Sequence, residues 1–325
     1  DPTQIVEIDG HLMIGVTGKE NAEGYRCGLE TWYIYPGESS WQPGQCLLMD
    51  KPDWVREEIP ENDGAYWAPG FLNPTTMYYS VSNYEDTACI GLIRASGTAP
   101  DLYWTDLGRT ITCTFDAESS PFNAPNSIDP APFVDTDGSV YLVYGGGHIW
   151  ITELDVETGL QINDDWWEPG IEDYFHLANG PNPSVATTDN RWIEAPFIYK
   201  KDDYYYLFVN WYGCCDGVDS TYEIHVGRSL SPTGPYVDRE GDAMTDGEGS
   251  LVLGRQGRFI GPGHPAVWTF EDADGELVEA LSYHYYDGNN FGLPWIEVRT
   301  ISWEDNWPVI ADASFDMGLY WDATE

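Results

Sequence analysis

The stretch IEAPFIYKKDDYYYLFVNW, residues 193–211, sets Glu194 directly before Ala-Pro and follows it with two aromatic strands parted by a charged turn. Tyrosine, phenylalanine and β-branched residues favour extended backbone, and a polar cluster between two such runs reads as a turn. Burying a carboxylate at the mouth of a hydrophobic strand is costly, so its presence there calls for a reason. The construction recurs. A polar turn and a hydrophobic strand begin at 8 (IDGHLMIGVTG), 73 (NPTTMYYSVS), 136 (TDGSVYLVYGG), 201 (KDDYYYLFVNW) and 274 (DGELVEALSYHYY), at intervals of roughly 63 to 73 residues. Each is preceded by a proline-marked strand start: DPTQIV, WAPGFL, DPAPFV, EAPFIY and HPAVWT. Each is followed by further strands, as in GLIRASGTAPDLYWTDLG and YEIHVGRSLSPTGPYVD.

Long helical periodicity is absent, so the class is all-β. Five units of about four strands predict a five-bladed β-propeller, one domain over 1–325, because radial repetition leaves only short, protected edges. A two-sheet sandwich would not explain so long a period. In a propeller the first strand of each blade lines the central channel. The strand starts Asp1, Trp67-Ala68, Asp129, Glu194 and His264 would therefore ring one funnel, where propellers bind small molecules.

Composition narrows the partners. The chain carries 55 acidic residues against 14 basic, a net charge of −41, spread among strands and turns rather than gathered in a tail. Such a field repels nucleic acid and anionic membranes and suits a neutral substrate. No run of eighteen apolar residues exists. The sequence opens at Asp1 with no leader, which fits a mature or trimmed chain, and residues preceding Asp1 are expected in the native protein. Cysteines fall at 27, 46, 89, 113, 214 and 215 without zinc spacing. Cys27–Cys46 and Cys89–Cys113 could each close a local loop, and adjacent Cys214–Cys215 could form a vicinal disulfide. An even count of this kind favours an oxidising compartment and hence secretion; six reduced thiols in a cytosolic protein is the alternative.

Three carboxylates in one cleft cannot all ionise at their free pKa values. One protonated carboxylic acid beside one carboxylate is the equipment for glycosidic bond cleavage, and an inverting enzyme needs about 6.5–9.5 Å between acid and base. The motifs DPTQIV, SIDPAPFVDTDGSVYLVYG, WIEAPFIY and GPGHPAVW, in this order, resemble glycoside hydrolase family 43, inverting five-bladed propellers that act on arabinan and xylan. LSYHYYDGNNFGLPWIEV and STYEIHVGRSLSPTGPYVD are most similar to its arabinanase branch, so the resemblance spans almost the whole chain. It implies an arabinan endo-1,5-α-L-arabinosidase-like enzyme with Asp1 as general base, Glu194 as general acid and Asp129 raising the pKa of that acid. It further implies that His264 lies near the axis by a calcium or sodium ion held largely through water, with no organic cofactor. The substrate is expected to be neutral arabinan or arabino-oligosaccharide and the protein a monomer. Trp67 would stack on a sugar, and Asn126, Ile128 and Gly146, which neighbour Asp129 and its partner strand, are further candidate contacts.

Each residue has a plainer reading. Asp-Pro and Glu-Ala-Pro steps mark turns, His264 and His284 could be satisfied core histidines, and Trp67 could be packing. Recurrence in phase favours function over turn chemistry. Two departures from the family pattern concern the cleft. Gly70 stands where the family has Asp after Trp-Ala-Pro, and YGGGHIWI stands where the arabinanase branch has a loop with serine and tryptophan. Glycines at 145–147 would widen the cleft or let backbone approach the sugar. The alternatives are an exo-acting α-L-arabinofuranosidase or β-xylosidase of the same family, a fructan hydrolase of a related propeller, or a carbohydrate-binding propeller without catalysis.

Overall fold

Each tyrosine-rich run becomes the second strand of a four-stranded antiparallel sheet. A computed structural model describes residues 1–19, 26–85, 87–115, 126–162 and 174–324. Blade 1 comprises β1 (Val6–Ile8), β2 (His11–Thr17), β3 (Leu29–Ile34) and β4 (Gln42–Leu47). Blade 2 comprises β5 (Tyr66–Asn73), β6 (Thr76–Ser82), β7 (Thr87–Thr98) and β8 (Asp101–Phe115). Blade 3 comprises β9 (Ala131–Val134), β10 (Val140–Tyr144), β11 (His148–Leu154) and β12 (Tyr174–Asn179). Blade 4 comprises β13 (Ile193–Lys201), β14 (Tyr204–Trp211), β15 (Glu223–Ser229) and β16 (Ser250–Leu253). Blade 5 comprises β17 (Phe259–Glu271), β18 (Leu277–Asp287), β19 (Leu293–Glu304) and β20 (Trp307–Ile310). In every blade the strands pair in sequence order. The fold is the five-bladed β-propeller that the repeat predicts.

The unbroken hydrophobicity of the second strands follows from burial on both faces. Side chains alternate across a strand, and in β14 Tyr205, Leu207 and Val209 pack toward blade 3 while Tyr206 and Phe208 pack toward blade 5. Five hydrophobic clusters fill the five spaces between neighbouring blades. The last joins blade 5 to blade 1 through Trp268, Ala280 and Val298 against Ile5, Leu12 and Ile14. Closure there rests on side-chain packing between two separate sheets. The C-terminal helix (Gly318–Thr324) plugs the same seam, with Tyr320 against Trp268. First strands of successive blades touch from β5 through β9 and β13 to β17, which brings the strand starts together.

All six cysteines are paired: Cys27–Cys46, Cys89–Cys113 and Cys214–Cys215. Cys89 and Cys113 face each other directly across β7 and β8. Gly70 sits where blades 2 and 3 meet so closely that a Cβ would lie 2.0 Å from the carbonyl oxygen of Pro130. No side chain, aspartate included, fits this backbone at that position.

Candidate active site

The inner strand of each blade is entered through an X-Pro step. Where φ is defined, X is left-handed: Ala68 (45°), Asp129 (54°), Ala195 (51°) and His264 (53°), with Asp1 the fifth member. Residues other than glycine seldom adopt this conformation, and it persists only where the surroundings hold it. Hydrogen bonds passing from blade to blade do the holding. Thr17 Oγ1 accepts the Ala68 N–H at 3.0 Å, Ser80 Oγ accepts the Asp129 N–H at 2.8 Å, and Asn210 Oδ1 accepts the His264 N–H at 2.7 Å. Those three acceptors occupy one position on the second strands of blades 1, 2 and 4. Blade 3 has Gly145 there, whose N–H bonds the Ile128 carbonyl. With no side chain available, Asp129 Oδ2 itself accepts the Ala195 N–H at 2.8 Å.

This phase corrects the sequence expectation in one respect. Glu194 is not equivalent to Asp1, Asp129 and His264. It lies one residue earlier, in step with Trp67, Ile128 and Gly263, and Ala195 takes the left-handed place. The offset turns Glu194 toward a different set of neighbours. Its Oε2 accepts the Trp192 Nε1–H at 2.7 Å, and Tyr222 Oη bonds Oε1. Burial raises the pKa of Glu194, opposed by these two bonds. Burial also pushes Asp129 well above the usual carboxylate range, reinforced by the nearby Glu194 charge and opposed by the Ala195 N–H. Each of the two carboxyls therefore holds its proton to higher pH than an isolated one would.

Asp1 is held differently. Its Oδ2 accepts the Thr17 hydroxyl at 2.8 Å, and the Thr17 N–H donates to the Asp1 carbonyl at 3.2 Å. Oδ1 faces two imidazoles, His284 Nδ1 at 3.7 Å and His264 Nδ1 at 3.8 Å. Burial lowers the pKa of His264 and of His284 well below the ordinary imidazole value, with the neighbouring His264 adding to the effect on His284. Burial thus favours the neutral form of both rings. His284 stacks on Tyr222 at 6.0 Å between ring centres, so the Asp1 and Glu194 sides of the site share a wall.

The remaining candidates separate into two groups. Trp67 sits at the mouth of blade 2, 4.7 Å from Tyr84 between ring centres, with its indole N–H 3.4 Å from Tyr84 Oη. Asn126, Ile128 and Gly146 do come together, but the glycines do not widen the cleft. A Cβ on Gly146 would meet Ile128 Cδ1 at 2.7 Å, Trp192 Cζ2 at 2.9 Å and Asn126 Nδ2 at 3.0 Å, and one on Gly147 would meet Trp192 Cζ3 at 3.3 Å. The space that side chains at 146 and 147 would need is occupied by the indole of Trp192. Among the described residues no group of three or more His, Cys, Asp or Glu is placed to hold a metal ion. The residues around His264 thus do not form a protein-built cage for the expected calcium or sodium.

Trp192, Tyr222 and Thr17 are the functional residues that sequence reasoning missed. Trp192 had a usable signal, since residues i and i+2 of an extended chain share a face and Trp-Ile-Glu therefore aligns its first and third side chains. Thr17 could have been found by aligning the second strands on Ser80 and Asn210. Tyr222 arrives from 28 residues beyond Glu194 and had no local signal.

A profile of the family described as Glycosyl hydrolases family 43 matches residues 40–308. The chain belongs to this family. An extracellular exo-α-(1→5)-L-arabinofuranosidase of Cellvibrio japonicus is 32% identical over 313 residues, covering 88% of this chain and 85% of the relative. An extracellular endo-α-(1→5)-L-arabinanase of Bacillus subtilis is 30% identical over 314 residues, covering 95% and 86%. Among solved structures, an exo-1,5-α-L-arabinanase from a bovine ruminal metagenomic library superposes with a TM-score of 0.77 at 29% identity, over 95% of both chains. The Cellvibrio cellulosa α-L-arabinanase complexed with arabinohexaose gives 0.75 at 28% identity, over 95% of this chain and 94% of its own. The family 43 chain is thus a glycoside hydrolase built on the propeller described above.

Proposed function

We propose that this family 43 enzyme is an inverting hydrolase of α-1,5-linked L-arabinan that cuts within the polymer. The observation that carries the reading is the unequal treatment of its carboxyls. Glu194 and Asp129 lie buried with raised pKa values, while Asp1 receives a hydroxyl hydrogen bond on Oδ2 and, among the described residues, faces only two imidazoles at 3.7 and 3.8 Å with Oδ1. A proton-holding carboxyl and an accepting carboxylate are the pair that glycosidic hydrolysis requires. In the proposed step a water oxygen bonds to the anomeric carbon as Asp1 takes its proton. The bond to the glycosidic oxygen breaks as Glu194 delivers a proton to that oxygen. Asp129 is the tuning group, bound through the Ala195 N–H to the residue after the acid.

Trp67, Asn126, Ile128 and Gly146 are proposed substrate contacts. His264 is assigned a place beside Asp1 and no metal-dependent step. Three disulfides and relatives named extracellular support secretion. A second reading, exo action, is favoured by the relatives named exo-acting. Incubation with debranched arabinan separates the two. Mixed oligosaccharides appearing early support endo cleavage, release of one short product of constant length supports exo cleavage, and no cleavage overturns the arabinan assignment.

A further inference from the structure

Trp192 is fixed in place and yet open to solvent. Its backbone N–H donates to Asn190 Oδ1 at 3.0 Å, and its carbonyl accepts the Tyr212 N–H at 2.9 Å. The indole N–H donates to Glu194 Oε2 at 2.7 Å, and the benzo edge lies against Gly146 and Gly147. Every polar group of the residue is used, and the ring is backed on one side by chain without side chains. Even so, 41% of the residue stays exposed, a large apolar surface directly beside a carboxyl group. An indole held only for packing gains from covering its surface. A rigid aromatic face left open in a cleft, with its polar edge already satisfied, suits the apolar face of a sugar ring at small entropic cost.

We infer that Trp192 is the platform for the arabinofuranosyl residue on the leaving-group side of the scissile bond, and that its N–H positions the Glu194 carboxyl. The assignment of side rests on the proposed roles of Glu194 and Asp1. The acid meets the leaving oxygen, whereas water attacks from the side of the base. Trp192 touches the acid, and Trp67 adjoins Ala68, whose N–H is bound by the same Thr17 that holds Asp1. One tryptophan therefore flanks each end of the reacting centre. The glycines at 146 and 147 make the arrangement possible, because side chains there would displace the ring.

Two variants separate the two roles of the residue. Trp192→Phe keeps an aromatic face and loses the N–H, so kcat on arabinohexaose should fall by up to about tenfold, the worth of one hydrogen bond, with KM within about twofold. Trp192→Ala loses both, so KM should rise in addition by about tenfold. Calorimetric titration of arabinohexaose into the Asp1→Ala protein supplies a reading free of turnover. There Trp192→Ala should weaken binding about tenfold and Trp192→Phe should leave it within about twofold. Unchanged binding in the Trp192→Ala, Asp1→Ala double variant, or unchanged kcat in Trp192→Phe, overturns the inference while leaving the arabinanase reading intact. Arabinohexaose that neither binds nor is cleaved by the unmutated enzyme overturns both. Brisk cleavage by Asp1→Ala alone removes Asp1 as base and with it the assignment of side.

Discussion

The hydroxyl of Thr17 stands between Asp1 and Ala68, 2.8 Å from Asp1 Oδ2 and 3.0 Å from the Ala68 nitrogen. A hydroxyl has one proton to give. Because the Ala68 N–H occupies an acceptor site on Oγ1, the Thr17 proton goes to Asp1, which is thereby favoured as the accepting carboxylate. The same contact holds the left-handed turn that follows Trp67. Thr17→Val should therefore lower kcat on arabinan about 10- to 100-fold, the range expected for losing a hydrogen bond to a charged group. Thr17→Ser retains both bonds and should keep most of the rate. Steady-state kinetics of the two variants make the comparison.

Removal of either reacting carboxyl should cost about 10²- to 10⁴-fold in kcat, the usual contribution of a general acid or base. The two losses should differ in kind. Asp1→Ala should regain rate with added azide, which attacks without a base. Glu194→Ala should stay nearly active on an aryl arabinotrioside whose leaving group needs no proton. Melting curves like those of the parent would show both variants to be folded.

Asp129 makes a prediction about stability with a definite sign. Its folded pKa lies above the usual carboxylate value because it is buried beside Glu194. The folded state therefore binds more protons than the unfolded chain, and stability falls as pH rises through the raised value. Asp129→Asn removes that cost and can keep an oxygen facing the Ala195 N–H. The variant should melt close to the parent near pH 4 and above it near pH 8. Its activity should fall with Tm unharmed, separating the tuning role from a structural one.

The disulfides make a third kind of prediction. Cys27–Cys46 and Cys89–Cys113 have sequence separations of 19 and 24. Loops of that size contribute about 3 kcal/mol each by restricting the unfolded chain. Cys89→Ala/Cys113→Ala should lower stability by roughly that amount in denaturant titrations. Opening Cys214–Cys215, which closes no loop of any length, should leave global stability within about 0.5 kcal/mol.

The propeller was legible because its second strands must be hydrophobic on both faces, which writes a run such as YYYLFV once per blade. The Pro-marked strand starts were legible too, and they place Asp1, Asp129 and Glu194 around one site. The one-residue offset of Glu194 was not, since DPAPFV and EAPFIY align naturally on their acidic residues while the backbone aligns on the residue before proline. The glycines at 145–147 misled for a related reason. Absent side chains suggest empty space, but the space is filled by the His148 carbonyl at 145, by Ile128 and Trp192 at 146 and by Trp192 at 147. The contact of Tyr222 with Glu194 joins parts of blade 4 that are 28 residues apart and leaves no trace in local sequence, whereas that of Thr17 with Ala68, which crosses from blade 1 to blade 2, is legible only once the second strands are aligned.

The division of labour between Asp1 and the Glu194–Asp129 pair is tested most directly by the stereochemistry of the first product. Proton NMR taken within the first turnovers on an α-1,5-arabino-oligosaccharide should show the β-anomer of the new reducing end appearing first, with the α-anomer growing in only by mutarotation. An α-anomer from the outset would mean a covalent intermediate and retention, and would contradict Asp1 as a base that activates water.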